Sequence, residues 1–210
     1  MPIDFTTLAQ QCAPSVHPTT LQAVVKTESS FNPFAIGVVG GRLARAPRSE
    51  AEAVATVNAL EAGGWNYSMG LAQVNRANLK ATGLTPSTVF DPCANLKAGS
   101  AILSDCYTRA RPGRDPQAAI QAALSCYYSG NFSRGFQREA DGRSYVMRVV
   151  ANAAQAPNTP PPVVPAVQPI AVTPDPGSPV RVKRSESAGK PASRSTADQP
   201  HPAWDALGDF

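Results

Sequence analysis

The segment from Leu21 to Pro33, LQAVVKTESSFNP, constrains the fold more than any other part of the chain. Pro18 suits the first turn of a helix because it has a fixed φ and no backbone donor to leave unpaired. The spacing i, i+3, i+4 and i+7 predicts one helical face that carries four residues: Leu21, Val24, Val25 and Glu28. The pattern therefore places a carboxyl group on an apolar stripe.

Glu28 has the position of a general acid. Pro33 ends the helix within about a turn, so Glu28 lies near the negative end of the helix dipole. Burial and the dipole both disfavour a carboxylate, so we expect the pKa of Glu28 to be raised. A carboxyl group that stays protonated near neutral pH can donate a proton to a leaving group. The alternative is a partly buried helical glutamate that is paired with an arginine or capped by water.

The prolines divide the chain near residue 155. Twelve of the 21 prolines lie after Ala156, in a segment without an apolar period of 3.6 or 2. Such a segment cannot bury enough apolar surface to offset its ordering entropy. We therefore predict one folded domain over residues 1–155 and a Pro-rich disordered tail over residues 156–210. The tail is either a spacer, a docking segment for a partner or an idle linker.

Charge and hydropathy exclude several classes of function. Residues 1–155 hold 14 Lys and Arg against 10 Asp and Glu, whereas the tail holds 5 of each. No basic run is interleaved with aromatic residues, so nucleic acid is not an expected partner. No stretch approaches the roughly 20 apolar residues of a membrane span. The N-terminal MPIDFTTLAQQCAPS also lacks a basic region followed by an apolar one, so no secretory signal is visible.

Four cysteines lie in the predicted domain: Cys12, Cys93, Cys106 and Cys126. They contain no C-x-x-C pair and only two histidines occur in the chain, which argues against a metal site. An even set favours disulfides in an oxidising compartment over buried free thiols. If Cys93 and Cys106 share one helix, they are about 20 Å apart, too far for a disulfide. Each would then pair with Cys12 or Cys126.

Further helices are predicted from their start signals. Asp4 can cap a short helix to about Gln11, and S-x-x-E at Ser49 begins a helix that stops at Gly63. Two Asp-Pro pairs, at Asp91 and Asp115, mark two more helices, and a last one covers about residues 143–154. The expected fold class is therefore mainly α.

Two segments rich in small residues break the helical pattern. Residues 35–41, AIGVVGG, predict a short hairpin or tight loop packed on the core. Residues 65–75, WNYSMGLAQVN, predict a turn or short strand that lines a cleft. Ser68, Gln73 and Asn75 would supply hydrogen bonds there. The alternative is that their side chains satisfy neighbouring backbone in an irregular loop.

Four ordered blocks resemble the motifs of soluble lytic transglycosylases, and most closely those of the VirB-type branch found in type IV secretion systems. The blocks are ESSFNP from Glu28, GLAQVN from Gly70, CYYSGN from Cys126 and the Tyr145-Val146 pair. The resemblance covers roughly residues 8–155. It implies an α+β lysozyme-like domain of the goose type, in which a short hairpin lines the cleft. Ala72 and Tyr128 depart from this pattern, where many members have Met and Asn.

The resemblance also implies a reaction and its residues. Glycosidases usually use two carboxyl groups, whereas here only Glu28 is well placed. In this family one glutamate acts as both acid and base on the β-1,4 bond between N-acetylmuramic acid and N-acetylglucosamine, giving a 1,6-anhydro product. The remaining site residues carried over are the substrate-binding set: Ser29, Ser68, Gln73, Asn75, Tyr127 and Tyr145. No cofactor and no metal are implied.

The expected setting is the periplasm, where the glycan strands of peptidoglycan are the substrate. The enzyme would open the wall locally for an assembling secretion channel, and the tail could dock to a secretion component. The absence of a visible signal peptide conflicts with this location. Two alternatives stay open: a hydrolytic muramidase, and a non-catalytic peptidoglycan-binding scaffold of the secretion apparatus.

Overall fold

The computed structural model describes residues 4–155 of the 210-residue chain. These residues form helices and a small sheet. The elements in chain order are α1 Phe5–Cys12, α2 Pro18–Ser29, β1 Ile36–Val38, α3 Glu50–Ala62, β2 Tyr67–Met69, β3 Val74–Asn75, α4 Leu79–Thr82, α5 Pro92–Ala110, α6 Pro116–Ser129 and α7 Tyr145–Ala154. Short 3₁₀ turns precede α4 and follow α6. The predicted tail lies outside the described residues, so the division at residue 155 stays a prediction.

The predicted helix starts are confirmed by their caps. The Asp4 carboxylate accepts a hydrogen bond from the backbone N–H of Thr7 at 3.1 Å, as predicted for a helix N-cap. Asp91 and Asp115 do the same for α5 and α6, and Ser49 caps α3. The last helix begins at Tyr145, slightly later than predicted, because Ser144 caps it.

The two segments rich in small residues form one antiparallel sheet. Residues 35–41 supply one strand, β1, which pairs with β2, and β2 in turn pairs with β3. The hairpin is therefore formed by β2 and β3, and not within residues 35–41. The turn between β2 and β3 uses Gly70 at φ +78°, where a Cβ atom would lie 2.2 Å from the amide nitrogen of Asn95. The turn therefore packs directly on α5.

The buried apolar residues form two clusters. The first, here called the helical core, joins residues of α1, α2, α5, α6 and α7 around Leu96 and Ile120. The second, here called the sheet-side core, joins α3, the sheet and Val89 with Phe90. Helix α5 contributes to both, through Leu103 to the first and Ala98 to the second. The predicted fold class is confirmed: a mainly helical domain with a small sheet.

Two disulfides cross-link the helical core. Cys12 of α1 bonds Cys93 at the start of α5, and Cys106 of α5 bonds Cys126 of α6. The prediction of disulfides is confirmed, and Cys93 and Cys106 each take one of the two predicted partners. Within residues 4–155, no helix is long and apolar enough to cross a membrane.

Candidate active site

A cleft of about 900 Å³ lies between the helices and the sheet. One side, here called the helical wall, is formed by Glu28 of α2 and by residues of α5 and α6. The other, here called the sheet wall, is formed by residues of the three strands and by residues 77–82. The ionisable side chains among the described lining residues are all on the helical wall: Glu28, Asp105, Arg109, Tyr127 and Tyr128.

Glu28 is presented to the cleft by an abrupt end of α2. Ser30 and Phe31 both adopt left-handed backbone conformations, with φ of 51° and 65°. Such conformations are uncommon for residues other than glycine and occur often at functional sites. The Phe31 ring packs edge-on against Phe5 at 5.2 Å between centroids, and the N–H of Asn32 donates to the Ser29 carbonyl. The reversal therefore leaves Glu28 on the last helical turn.

The Glu28 carboxyl group is enclosed by protein although its side chain is partly exposed to the cleft. Burial raises the pKa of Glu28 to about 7, against the opposing effects of a hydrogen bond from Tyr145 and the charge of Arg148. The upward direction agrees with the sequence-based expectation, and burial is its main cause. A group with a pKa near 7 is present in both protonation states at neutral pH, as an acid that later acts as a base requires.

Tyr145 lies behind Glu28 and holds its carboxyl group. The tyrosine hydroxyl donates to Glu28 Oε1 at 2.6 Å, from the first turn of α7. The alternative of an arginine salt bridge is not found, since no ion pair among the described residues includes Glu28. The direct partner of the carboxyl group is therefore a neutral phenol, whose own pKa is raised well above 10 by burial.

Tyr127 joins the two walls. Its hydroxyl donates to the backbone carbonyl of Ala72, in the turn between β2 and β3. A Cβ atom placed on Gly99 would lie 3.1 Å from this hydroxyl oxygen and 2.5 Å from the Cβ atom of Ala72. The charge of Glu28 contributes to a raised pKa of Tyr127, after burial. Tyr127 is thus near the carboxyl group, although its hydrogen bond goes to the sheet side.

Gln73 closes the turn on the sheet wall. Its amide nitrogen donates to two backbone carbonyls, of Ala35 at 3.0 Å and of Gly70 at 2.9 Å. The residue itself has a φ of 45°, which again departs from ordinary backbone. Both amide hydrogens are used, so the oxygen Oε1 is the atom of this side chain that a ligand could bind.

Ser68 and Asn75 face each other across β2 and β3. The Asn75 amide nitrogen donates to Ser68 Oγ at 3.2 Å and to Asn66 Oδ1 at 2.9 Å, and its oxygen caps the next turn at Ala77. Ser29 is different, because its hydroxyl bonds the Val25 carbonyl of its own helix and it is not among the residues that line the cleft. The structure thus brings together Glu28, Ser68, Gln73, Asn75 and Tyr127, with Tyr145 behind them.

Three residues connected to Tyr145 and Glu28 were not among the predicted site residues: Tyr128, Glu139 and Arg148. The Tyr128 ring stacks on Tyr145 at 4.6 Å, with 14° between the ring planes, and its hydroxyl donates to Glu139 Oε1 at 2.7 Å. Glu139 also forms an ion pair with Arg148. Arg148 follows Tyr145 by three residues on one helix, a spacing that could have suggested it. Glu139 comes from an irregular segment that no sequence pattern fixes.

Comparison with known proteins gives a family match over most of these residues. Residues 6–144 match the family described as "Transglycosylase SLT domain". Two similar proteins are the "Type IV secretion system protein virB1" of Brucella suis, 57% identical over 154 residues, and the "Protein virB1" of Agrobacterium fabrum, 34% identical over 154 residues. Each match covers 72% of this chain, but only 64% and 60% of the relatives. The chain thus spans less than two thirds of their length. No solved structure matches.

Proposed function

This chain belongs to the transglycosylase SLT domain family, and we propose that it is a lytic transglycosylase that cleaves the glycan strands of peptidoglycan. The single observation that carries the proposal is the placement of Glu28: an enclosed carboxyl group that lines a cleft of about 900 Å³ and has a pKa of about 7. Ser68, Gln73, Asn75 and Tyr127 line the same cleft and are proposed to bind the substrate.

The proposed reaction uses Glu28 twice. Protonated Glu28 donates its proton to the oxygen of the β-1,4 bond between N-acetylmuramic acid and N-acetylglucosamine, and the bond from C1 to that oxygen breaks. The acetamido carbonyl of the substrate stabilises the positive charge at C1. Ionised Glu28 then accepts the proton of the C6 hydroxyl as O6 bonds to C1. The product is a 1,6-anhydro sugar, and Glu28 ends in its starting state without consumption of water.

A single enclosed carboxyl group favours this reaction over hydrolysis by a muramidase. Most glycosidases use two carboxyl groups about 5–9 Å apart, one of which activates water or attacks C1. The other carboxylate among the described cleft residues is Asp105, which is largely exposed and forms an ion pair with Arg109 at 2.8 Å. It is therefore engaged as a partner of Arg109, and none of the described lining residues gives Glu28 a comparable second carboxyl group.

The relatives' names suggest where the reaction would take place. One of them is described as a type IV secretion system protein, and peptidoglycan is outside the cytoplasm. We place the proposed activity in the periplasm, where local opening of the wall would make room for a secretion channel. The segment over residues 156–210 is proposed to dock to a component of that channel; truncation at Ala156 with unchanged co-purification of such a component would contradict this.

The proposed function is tested by mass spectrometry of muropeptides released from purified sacculi. The wild type should release 1,6-anhydro-muramyl products, and Glu28→Gln should release none while still binding sacculi. Glu50→Gln, which changes an exposed carboxylate on α3, serves as the matched control and should retain full activity. Products with hydrated reducing ends would instead indicate a muramidase. Binding without any product from the wild type would indicate a scaffold.

A further inference from the structure

The hydroxyl of Tyr145 needs a fixed position to hold Glu28, and the structure shows what fixes it. The phenol ring is stacked face to face on Tyr128 at 4.6 Å, so it cannot tilt without breaking that contact. Tyr128 is anchored at its far end, because its hydroxyl donates to Glu139 at 2.7 Å. Tyr145, which contacts Glu28, is thus supported by the ring of Tyr128. That ring is in turn anchored by Glu139, which is not among the residues that line the cleft.

Glu139 forms an ion pair with Arg148, whose charge also affects the pKa of Glu28. One of its oxygens accepts from Tyr128 and the other pairs with Arg148 of α7. The Arg148 Nε atom is buried and has no hydrogen-bond partner among the described residues, whereas another nitrogen of the guanidinium donates to Glu139. The positive charge of Arg148 favours the ionised form of Glu28. The negative charge of Glu139 lies against that cation and opposes its effect.

We propose that Tyr128, Glu139 and Arg148 are positioning residues that hold Tyr145 on the Glu28 carboxyl group and set the electrostatic field at that group. The proposal rests on Glu28 being the acid of the reaction proposed above. It assigns a function to the segment between α6 and α7, which supplies Glu139. The other titratable and charged groups around this network are Tyr127 of α6, and Arg134 and Asp141 of the same segment.

The proposal predicts that the pKa of Glu28 shifts in opposite directions when Glu139 or Arg148 is replaced by a neutral residue. Glu139→Gln leaves the charge of Arg148 without its counterion, which stabilises ionised Glu28 and lowers its pKa. Arg148→Gln removes the cation and leaves the carboxylate of Glu139, which raises the pKa of Glu28. Because protonated Glu28 starts the reaction, the pH at which activity is lost should fall in the first variant and rise in the second. The double variant should return towards the wild type.

The measurement is the initial rate of anhydro-muropeptide release from sacculi between pH 5 and 9. We expect shifts of the basic limb of roughly half a pH unit or more in opposite directions. Arg148→Lys, which keeps the charge, should leave the limb near its wild-type position. Arg45→Gln and Glu52→Gln make the same charge changes in an exposed ion pair away from the cleft and should leave it unchanged. The proposal would be overturned if the basic limb of the pH–rate profile kept its wild-type position in Glu139→Gln and Arg148→Gln, or if it shifted in the same direction in both.

A second measurement does not depend on activity. Carbon-13 labelling of the glutamate carboxyl groups allows the titration of Glu28 to be followed by NMR, with Glu28→Gln as the assignment control. Opposite shifts of that titration support the network even if no muropeptide is released, in which case the proposed function alone fails. Should Arg148→Gln not fold, Glu139→Gln still decides the outcome, since an unchanged Glu28 titration would overturn the proposal.

Tyr128 is tested through its two contacts separately. Tyr128→Phe keeps the stacked ring and loses the bond to Glu139, so kcat should fall only a few-fold. Tyr128→Ala removes the ring as well, and kcat should fall about tenfold or more because the Tyr145 hydroxyl is no longer held. Equal effects of the two variants would show that stacking on Tyr145 has no positioning role.

Discussion

The helical wall and the sheet wall of the cleft differ in chemistry and in how they are held. On the helical wall, two enclosed ionisable groups, Glu28 and Tyr127, lie over a core that two disulfides cross-link. On the sheet wall, the described lining residues are neutral, and their amides also bond to neighbouring groups. A raised pKa requires a low-dielectric setting that does not rearrange, whereas recognition of a sugar requires many weak polar contacts. The wall that carries the titrating acid is therefore the one whose core is covalently cross-linked.

The largest expected effect is on the covalent cross-links of the helical core, on which the helical wall lies. Cys12→Ala with Cys93→Ala removes a disulfide between residues 81 apart in sequence, and loop-closure entropy then predicts a loss of about 4 to 5 kcal/mol of unfolding free energy. Chemical denaturation with and without the substitutions measures this. As a comparison, Arg45→Gln breaks an exposed ion pair on the sheet side and should leave the denaturation midpoint almost unchanged. An equally small change for the cysteine pair would contradict the contrast.

The next effect concerns the contact that joins the two walls. Gly99→Ala places a methyl group 2.5 Å from the Cβ of Ala72, which neither backbone can accept without moving. We expect the free energy of unfolding to fall by about 2 to 3 kcal/mol, despite the better helix propensity of alanine. We also expect lower activity, because the sheet wall shifts away from the helical wall. The second substitution Ala72→Gly should restore much of both. Unchanged stability of the single variant would show that the walls are not packed as tightly as this contact indicates.

The helical wall was predictable from sequence because its signals are local. Caps at Asp91 and Asp115, and the apolar period that leads to Glu28, are each read within a few residues. The disulfides followed partly from the same reasoning, since helix length excluded one pairing and left two partners. Periodicity cannot choose between those partners, because the choice depends on how α1 and α6 pack against α5.

The sheet wall and the network behind Glu28 were less predictable for the opposite reason. The strands have only two or three residues each, too few to show a period. Glu139 reaches the site through an irregular segment, and its partners are 9 and 11 residues away in sequence. Ser29 was predicted to bind the substrate, and in the structure its hydroxyl bonds the carbonyl four residues back, as a serine hydroxyl in a helix can.

A third prediction tests whether the raised pKa of Glu28 lowers the free energy of unfolding above the pKa of an ordinary glutamate. Because the pKa of folded Glu28 is about 7, against 4.5 for an ordinary glutamate, the folded state binds more protons than the unfolded state between these values. Stability should therefore fall as pH rises through this range. Glu28→Gln lacks this dependence, so at pH 8 it should be more stable than the wild type by roughly 1 to 2 kcal/mol, allowing for solvent in the cleft. The difference should largely vanish at pH 4.5; denaturation midpoints that differ equally at both pH values would contradict the assignment.

The fourth prediction removes the hydroxyl that holds the acid. Tyr145→Phe keeps the stacked ring but loses the 2.6 Å bond to Glu28, which lowers the pKa of that group in the wild type. The basic limb of the pH–rate profile should therefore move to higher pH, and kcat should fall about tenfold, the worth of one charge-assisted hydrogen bond. KM should change little. A variant with an unshifted limb would mean that the hydroxyl does not act on the carboxyl group.

The smallest expected effect is on the sheet wall, and it is the sharpest test of the comparison. Gln73→Ala removes two hydrogen bonds to the Ala35 and Gly70 carbonyls, together with the Oε1 atom that those bonds leave free for a ligand. We expect KM for soluble glycan strands to rise a few-fold, since a few weak polar contacts are lost. The basic limb should stay where it is, because no charge near Glu28 changes. Gln73→Met, which keeps the length of the side chain without its polar atoms, separates packing from hydrogen bonding. If either variant shifted the basic limb to higher pH, as Tyr145→Phe should, the sheet wall would also affect the pKa of Glu28. The division between a wall that titrates and a wall that binds the substrate would then be wrong.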